Sequence, residues 1–319
     1  MIRHLKYHQI DFEKYTRCLE NSAQYKYCAQ KNYLDVTSSK QWSLLVYGDY
    51  DAVMPLPYIR KAGIKIVINP RLCQQLGVFS KEDSKATNQM FLNFLKKNYA
   101  VWYYAFNDSN EFEEQLHQKK NFLISPKNYE EVYKSYSPKR KRKLRLDDDV
   151  LINSEIKYLS FEEAEPFINQ HMQSGADGDT AAYLRIFKEF YASGNMIFPA
   201  FFFKGNIINL LALYYDNYTV ALLGTVNDPE HLKLSGASVL IDKMLSKNIA
   251  DKIFDFEGGD LPNIEEFFRG FRPELRPYPM VKYSKKNVIK QMVILLTCKG
   301  NVFLTKRLIK KRIANFAHL

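Results

Sequence analysis

The chain has 319 residues, of which 46% are hydrophobic and 14% aromatic, and its formal net charge is +11. This composition supplies enough apolar side chains for folded cores, which excludes a largely disordered protein, and the length favours about two domains. No secretory leader pattern follows Met1, and the apolar runs are far too short to span a bilayer, so we expect a cytoplasmic protein.

The first part of the chain, residues 1–127, predicts one α+β domain. Apolar patterning predicts a helix at 11–23, strands at 42–48, 51–58 and 64–68, a helix around 90–95, and strands at 100–106 and 121–125. Gln74 and Gln75 lie in the loop before the second helix and are candidates for hydrogen-bonding a polar acceptor. Alternatively, they satisfy the backbone of the following turn.

A basic junction is predicted at residues 128–150. Six of the seven residues at 139–145 are lysine or arginine, and three aspartates follow soon after. Lys139, Arg140 and Arg142 are candidates for binding the phosphates of an anionic acceptor or of a tRNA. The alternative is a solvated helix in which bases and acids pair at i,i+4 spacing.

The second predicted domain, residues 151–284, contains a three-stranded meander. Patterning predicts a strand at 155–159, helices at 161–172 and 180–192, three strands between 197 and 226, a helix from about 238, a strand at 253–256, a helix at 264–271 and a strand at 278–283. Turn signals at 204–206 and 216–217 separate the meander strands. Its last strand leads into a glycine-bearing loop.

That loop opens a helix, which leaves backbone N–H groups unpaired at a helix start where the dipole favours an anion. The loop residues that are candidates for holding a phosphate of a carrier are Lys233, Ser235, Gly236, Ala237 and Ser238. The alternative is a simple helix cap with no ligand.

This element order resembles the catalytic half of the GNAT acyltransferase fold. Residues 254–279, FDFEGGDLPNIEEFFRGFRPELRPYP, resemble the DFEGS…Fyk.FG….Y segment of the Fem-type, peptidoglycan aminoacyltransferase-like branch. Residues 54–80 resemble the first domain of uncharacterised members, and the basic junction resembles their Ys.n.kRN.kkA segment. The resemblance covers most of residues 30–284. It implies an α+β protein of two tandem GNAT-like domains, each a mixed, mostly antiparallel sheet flanked by helices.

The resemblance also implies an N-acyl- or aminoacyltransferase. Such an enzyme moves an acyl group from acyl-CoA or a charged tRNA to an amine of an anionic acceptor, for example a small molecule or peptide of the cell envelope. Glu257 is the candidate for orienting or deprotonating the amine, and Tyr278 for protonating the leaving group. Alternatively, Glu257 is a structural acid and Tyr278 a core aromatic. The four cysteines lack metal-ligand spacing, so we expect no metal.

A basic arm is predicted at residues 285–319. From residue 275 to the last residue the chain carries eleven lysines and arginines and no acid. The arm has the sequence pattern of an amphipathic helix. This pattern favours contact with an anionic membrane or, alternatively, packing on the second domain with the basic side solvated. A rival to the transferase hypothesis is therefore a non-catalytic GNAT-fold module that binds RNA or membrane through its junction and arm.

Overall fold

The computed structural model describes residues 1–61, 63–172 and 179–298. The strands in chain order are β1 (Ile2–Lys6), β2 (Trp42–Tyr47), β3 (Ala52–Lys61), β4 (Ile64–Ile68), β5 (Phe79–Ser80), β6 (Ala100–Ala105), β7 (His117–Lys119), β8 (Phe122–Ile124), β9 (Ser154–Leu159), β10 (Met196–Phe203), β11 (Asn206–Tyr215), β12 (Thr219–Asn227), β13 (Ile253–Asp255), β14 (Glu274–Leu275) and β15 (Tyr278–Lys282). The α-helices are α1 (Phe12–Glu20), α2 (Lys31–Ser38), α3 (Lys85–Asn98), α4 (Tyr129–Ser135), α5 (Pro138–Leu144), α6 (Asp148–Ile152), α7 (Phe161–His171), α8 (Thr180–Ala192), α9 (Gly236–Asn248), α10 (Pro262–Arg269) and α11 (Lys285–Cys298).

The chain folds into two compact units. Among the described residues, unit 1 comprises Met1–Lys119 and Pro277 to Cys298, and unit 2 comprises Lys120–Arg276. Each unit contains one sheet in which most neighbouring strands are antiparallel and one pair is parallel, β4 with β6 in unit 1 and β12 with β13 in unit 2. Helices flank both sheets, so the expected α+β class is confirmed.

The sheet of unit 1 has the order β1-β2-β3-β4-β6-β15-β7, with β5 paired to β3. Its strand β15 was expected in the second domain, but it pairs with β6 and β7. Helix α11 packs in the same unit, where buried Val288 and Met292 contact Ile66 and Ala100. The expectation that this helix packs on the second domain is therefore corrected. The second apolar stripe of the predicted arm, 304–316, lies outside the described residues.

The sheet of unit 2 has the order β14-β8-β13-β12-β11-β10-β9. The predicted meander is present as antiparallel β10, β11 and β12. Strand β8 was expected in the first domain, but it pairs with β13 and β14. A strand pattern predicts an extended segment and one buried face, whereas the choice of sheet depends on long-range pairing, which no local pattern records. This explains why the sequence predicted β8 and β15 as strands but assigned each of them to the other domain.

The core of unit 2 explains why its strands are nearly continuous apolar runs. Helices α7, α8 and α9 all pack on strands β10, β11 and β12. Strands covered in this way read as unbroken hydrophobic segments rather than as alternating ones. Leu211, Leu213 and Val220 on the sheet and Leu240 and Met244 on α9 are fully buried in one cluster. This packing holds the start of α9 against the meander.

Candidate functional site

The two parallel strands of unit 2 separate after a short paired stretch. Strand β12 pairs with β13 over residues 219–221, although β12 itself continues to Asn227. From residue 222 onward, the edge of β12 opposite β11 has no strand partner among the described residues. An unpaired strand edge presents free N–H and C=O groups. We call this opening between β12 and the chain after β13 the wedge.

Helix α9 follows β12 with an uncapped start. Ser235 precedes the helix in the left-handed region, with φ at 63°, and its side chain makes no capping hydrogen bond. The amides of Gly236 and Ala237 have no acceptor within the described part of the chain. Because aligned peptide dipoles add positive potential at a helix start, these two N–H groups favour an anionic ligand.

Gly236 allows the helix to approach the meander closely. A Cβ at this position would overlap Oδ1 of Asn209 and lie 2.9 Å from its Cγ. Asn209 is 2% exposed, and its Nδ2 donates to Oδ1 of Asn227 at 2.7 Å. The Oδ1 atom of Asn209 has no hydrogen-bond partner in the described structure, which is the state of a buried polar atom that a ligand or a water satisfies.

A cavity of about 360 Å³ lies at this helix start, and we call it the wedge cavity. Part of its lining is polar and neutral, contributed by Asn209, Thr225, Asn227 and Asn263. Another part is apolar, contributed by Leu232, Ile264, Phe267 and Phe268. Lys143 is the one charged residue among those that line it. This size and mixture suit a small ligand or the flexible arm of a larger one.

Arg140 is buried beside the wedge cavity rather than free in solvent. It is 6% exposed, its Nη1 donates to the hydroxyl of Ser238, and its Nη2 donates to the carbonyl oxygen of Phe267 at 2.7 Å. Its guanidinium also lies 4.3 Å from the ring centre of Phe267 and 4.1 Å from that of Phe271. Burial lowers the pKa of Arg140 to about 10. The side chain therefore ties α5 to the first turn of α9 and to α10.

A second cavity of about 470 Å³, which we call the basic cavity, lies on the α5 side. Its charged lining residues are Lys139, Arg140, Lys143, Arg269, Arg272 and Glu266. It shares Lys143, Asn263 and Phe267 with the wedge cavity. Both cavities belong wholly to unit 2, and they meet at those three residues.

The structure separates the three basic candidates of the junction. Arg140 is buried as described, whereas Lys139 lies on the exposed side of α5 and forms an ion pair with Glu266 at 2.7 Å. Arg142 is exposed on α5 and lines neither cavity. The sequence assigned all three one role, but only Lys139 and Arg140 line the basic cavity.

The loop candidates of unit 2 divide in a similar way. Ser235, Gly236, Ala237 and Ser238 line the wedge cavity, with Gly236, Ala237 and Ser238 buried. Lys233 is exposed in a short 3-10 turn that precedes the loop, and it does not line the cavity. The structure thus brings together four of the five residues proposed to hold a carrier.

Gln74 and Gln75 are held by bonds inside unit 1. Nε2 of Gln75 donates to Oε1 of Gln74 at 2.9 Å, and Oε1 of Gln75 accepts from the backbone N–H of Asp108 at 3.0 Å. Gln75 is 3% exposed. Gln75 therefore bonds to Gln74 and to a distant segment of unit 1 rather than to the turn that follows it. The acceptor-binding interpretation of both residues stays a prediction.

Glu257 lies two residues after the end of β13, with φ at 54°, and its N–H donates to the carboxylate of Asp255 at 2.9 Å. Asp255 also accepts from Nδ2 of Asn121 at 3.0 Å. Asp255 therefore holds this loop through the backbone N–H of Glu257, and both the catalytic and the structural interpretation of the Glu257 carboxylate stay predictions. Tyr278 lies on β15 in the sheet of unit 1 and is 2% exposed, which favours the core alternative for that residue.

Sequence reasoning missed most of the polar wall of the wedge cavity. Asn209, Thr225 and Asn227 lie on meander strands that read as core, and Asn263 opens α10. A signal was present, since Asn209 and Asn227 are amides within apolar strands and face each other in register. Buried amides in such a pair indicate a polar site or a mutual bond.

Among the described residues, no three His, Cys, Asp or Glu side chains are placed to hold a metal ion together. No described helix combines the length and apolar character needed to cross a bilayer.

No protein-family model matches this sequence, and no curated protein sequence matches it significantly. Solved structures do share its fold. The crystal structure of FemX has a TM-score of 0.61 at 9% identity, over 86% of this chain and 96% of that one. A conserved protein of unknown function from Bacteroides thetaiotaomicron has a TM-score of 0.51 at 10% identity, over 88% and 99%.

A tandem GNAT protein from the clavulanic acid biosynthesis pathway has a TM-score of 0.50 at 10% identity, over 88% of this chain and 97% of that one. At such identities these likenesses concern the fold. They confirm the expected Fem-type, tandem GNAT-like architecture, with one GNAT-like sheet in each unit.

Proposed function

We propose that this chain, which has the tandem GNAT-like fold of FemX, is an acyl- or aminoacyltransferase whose donor site is the wedge cavity of unit 2. The observation that carries the proposal is the opening of β12 from β13 beside the uncapped start of α9. Fold alone does not establish chemistry, but an anion-binding helix start next to an open strand edge suits a carrier with a phosphate and an acyl arm.

The proposed chemistry uses backbone groups for binding and charge stabilisation. The amides of Gly236 and Ala237 hold an anionic group of the carrier. The acyl arm lies in the wedge cavity, which is lined by both amide and apolar side chains. The free edge of β12 then supplies N–H groups for the carbonyl oxygen, which gains negative charge as the amine attacks.

Glu257 is the residue we propose to orient or deprotonate the attacking amine. It sits at the end of β13 in a left-handed backbone conformation that is uncommon for a residue with a side chain. Such conformations persist where surrounding structure enforces them, and they cluster at functional sites. The bond from its N–H to Asp255 supplies that enforcement. Tyr278 remains the candidate that the sequence gives for protonating the leaving group. Its burial argues against that role.

The carrier and the acceptor are proposed as classes. Acyl-CoA and aminoacyl-tRNA both combine phosphates with a reactive acyl group, and either suits an anion-binding helix start. The acceptor is an amine on a small molecule or peptide, and an anionic precursor of the cell envelope fits the fold resemblance. A cytoplasmic location, with peripheral contact to anionic membrane through residues 285–319, belongs to the same proposal.

The test is ligand-dependent stabilisation followed by transfer. Acetyl-CoA, longer acyl-CoAs and an uncharged tRNA are added separately, and the melting temperature is measured, because a ligand that binds the folded state raises it. Transfer to a panel of amines is then assayed with the ligand that binds. Glu257→Gln is expected to keep the stabilisation and to lose transfer by at least tenfold, since general base catalysis contributes about 10²–10⁴. Full activity of Glu257→Gln removes this residue from the mechanism.

The rival, a non-catalytic module that binds RNA or anionic membrane, is favoured by one observation: α5 carries exposed cations, including Arg142. It predicts salt-sensitive binding to tRNA or anionic vesicles, with no transfer from any carrier. Transfer to an amine at any measurable rate rules it out.

A further inference from the structure

The basic cavity carries far more positive than negative charge. Five of its lining residues are lysine or arginine and one, Glu266, is a carboxylate. Glu266 pairs with Lys139, and Arg269 pairs with Glu265 at 2.7 Å. Lys143 and Arg272 form no ion pair among the described residues. Arg140 forms none either, although the carboxylate of Asp242, which does not line the cavity, interacts with it electrostatically. Positive charge therefore exceeds negative charge around this cavity, which favours entry of an anion.

Arg140 makes this a preformed site rather than a group of mobile side chains. Its guanidinium is held by Ser238, by the carbonyl of Phe267 and by two aromatic rings. Its Nε atom is buried and has no hydrogen-bond partner in the described structure. A fixed guanidinium loses less side-chain entropy when it binds an anion than a free one does.

The basic cavity and the wedge cavity meet at one wall. Lys143, Asn263 and Phe267 line both of them, and Arg140 bonds to Ser238, which lines the wedge cavity. A ligand whose arm lies in the wedge cavity therefore has its next segment beside Lys143, facing Arg140 and Arg272. A volume of about 470 Å³ holds a nucleotide-sized group rather than a single phosphate.

We propose that the basic cavity binds the nucleotide phosphates of the acyl carrier, so that the basic helix α5 serves the donor rather than the acceptor. This inference rests on the proposed function, because the wedge cavity is taken as the site of the acyl arm. It narrows the role of Lys139 and Arg140, which the sequence proposed for the phosphates of an anionic acceptor or of a tRNA, to binding of the carrier. The shared chemistry is a phosphorylated nucleotide end, whether that of coenzyme A or the CCA end of an RNA.

The test compares ligands with and without phosphates on matched charge variants. Arg272→Gln and Lys143→Gln each remove one cation from an exposed wall residue. Arg145→Gln is the control, since Arg145 ends the same helix, is also exposed, and lines neither cavity. Dissociation constants are measured by calorimetry for coenzyme A, pantetheine and a CCA-ended RNA hairpin, each at two salt concentrations.

We expect each of the two cavity variants to weaken binding of coenzyme A or of the hairpin about tenfold, as the loss of a charge-assisted contact does. Binding of pantetheine is expected to stay unchanged in Arg272→Gln, because Arg272 does not line the wedge cavity. Binding of either phosphorylated ligand to Arg145→Gln is also expected to stay unchanged. The salt dependence of the cavity variants should become shallower, because fewer phosphates are neutralised. Whichever of the two phosphorylated ligands shows this pattern is the source of the nucleotide.

Equal affinities in the wild type and both cavity variants would overturn the inference while leaving the proposed transferase standing. An equal loss in Arg145→Gln would also overturn it, because the effect would then be that of overall charge. Failure of the wild type to bind any of the three ligands would reject the donor site itself, and with it the proposed function.

Discussion

Each unit has one parallel strand pair, β4 with β6 in unit 1 and β12 with β13 in unit 2. The loops that follow β4 and β12 differ between the units. In unit 1, the loop after β4 continues the pairing with β6: the N–H of Asn69 donates to Tyr103 at 3.1 Å, and that of Leu76 donates to Ala105 at 3.0 Å. In unit 2, pairing of β12 with β13 ends after residue 221, and a cavity takes its place. The same order of elements therefore leaves this strand edge hydrogen-bonded in unit 1 and unpaired in unit 2. We call the first the closed edge and the second the open edge.

Side chains complete the closure in unit 1. The N–H of Ala105 donates to Oδ1 of Asn69 at 3.3 Å, and the N–H of Gly77 donates to the hydroxyl of Tyr104 at 3.1 Å. Helix α3 begins later, after Ser84, whose hydroxyl accepts from the N–H of Thr87. A helix start that is capped by its own chain offers fewer donors to a ligand. This difference supports the proposal that an anionic ligand binds at the helix start of unit 2.

The largest expected effect on stability comes from Arg140, the buried arginine that ties α5 to the first turn of α9. Arg140→Met leaves the carbonyl of Phe267 without its donor and removes the ring contacts, so we expect unfolding to require about 3 kcal/mol less. Urea denaturation measures this difference. Lys139→Met, next to it but with both partners of its ion pair more than two-thirds exposed, is expected to change stability by less than about 1 kcal/mol. Similar losses in both variants would contradict the buried role.

Gly236→Ala tests the close approach of α9 to the meander. The added methyl group must displace Asn209, so we expect a loss of about 2 kcal/mol together with weaker binding of the donor. Gly224→Ala is the control, because its Cβ would make an ordinary contact with Ala212 at 3.5 Å. In the double variant Gly236→Ala/Asn209→Ala the loss should be smaller than the sum of the two single losses. Additive losses would place the strain elsewhere.

The sequence was sufficient to predict the elements of unit 2 but not their pairing. The meander and the helix at Thr180–Ala192 lie where apolar periodicity indicated them, because burial on one face imposes a local pattern. The exchange of β8 and β15 between the sheets was not predictable in this way. Each is a short apolar strand, and its partners are more than a hundred residues away in the chain.

The site was predictable where backbone geometry determines it. Gly236 was found because a glycine-bearing loop that opens a helix leaves backbone N–H groups unpaired at the helix start. The role of Arg140 was not, because a basic run reads as solvated and burial of one member depends on Phe267 and Phe271, which lie more than a hundred residues later. Contacts between distant segments, rather than composition, decided which cation became structural.

Tyr104→Phe tests the closed edge of unit 1. The hydroxyl accepts from Gly77 and donates to the carbonyl of Pro55 at 2.8 Å in a fully buried position. Its removal leaves a buried donor and a buried acceptor unpaired, so we expect a loss of about 1.5 kcal/mol. Because this loop is structural, the affinity for the donor measured by calorimetry should not change. A change in donor affinity at native conditions would show that the closed edge also takes part in binding.

The smallest expected effect is a pH dependence from the helix of the open edge. Asp242 on α9 is partly buried and accepts from the hydroxyl of Tyr129 at 3.0 Å; burial raises its pKa above the usual value. The folded state therefore binds the proton more tightly than the unfolded state, so ionisation of Asp242 opposes folding. This opposition is absent below the unfolded pKa of about 3.9 and is complete above the folded value. The stability of the wild type relative to Asp242→Asn should fall as pH rises from 4 to 7, measured by urea denaturation at each pH. Parallel stability curves for the two proteins would show that this carboxylate is equally well solvated in both states.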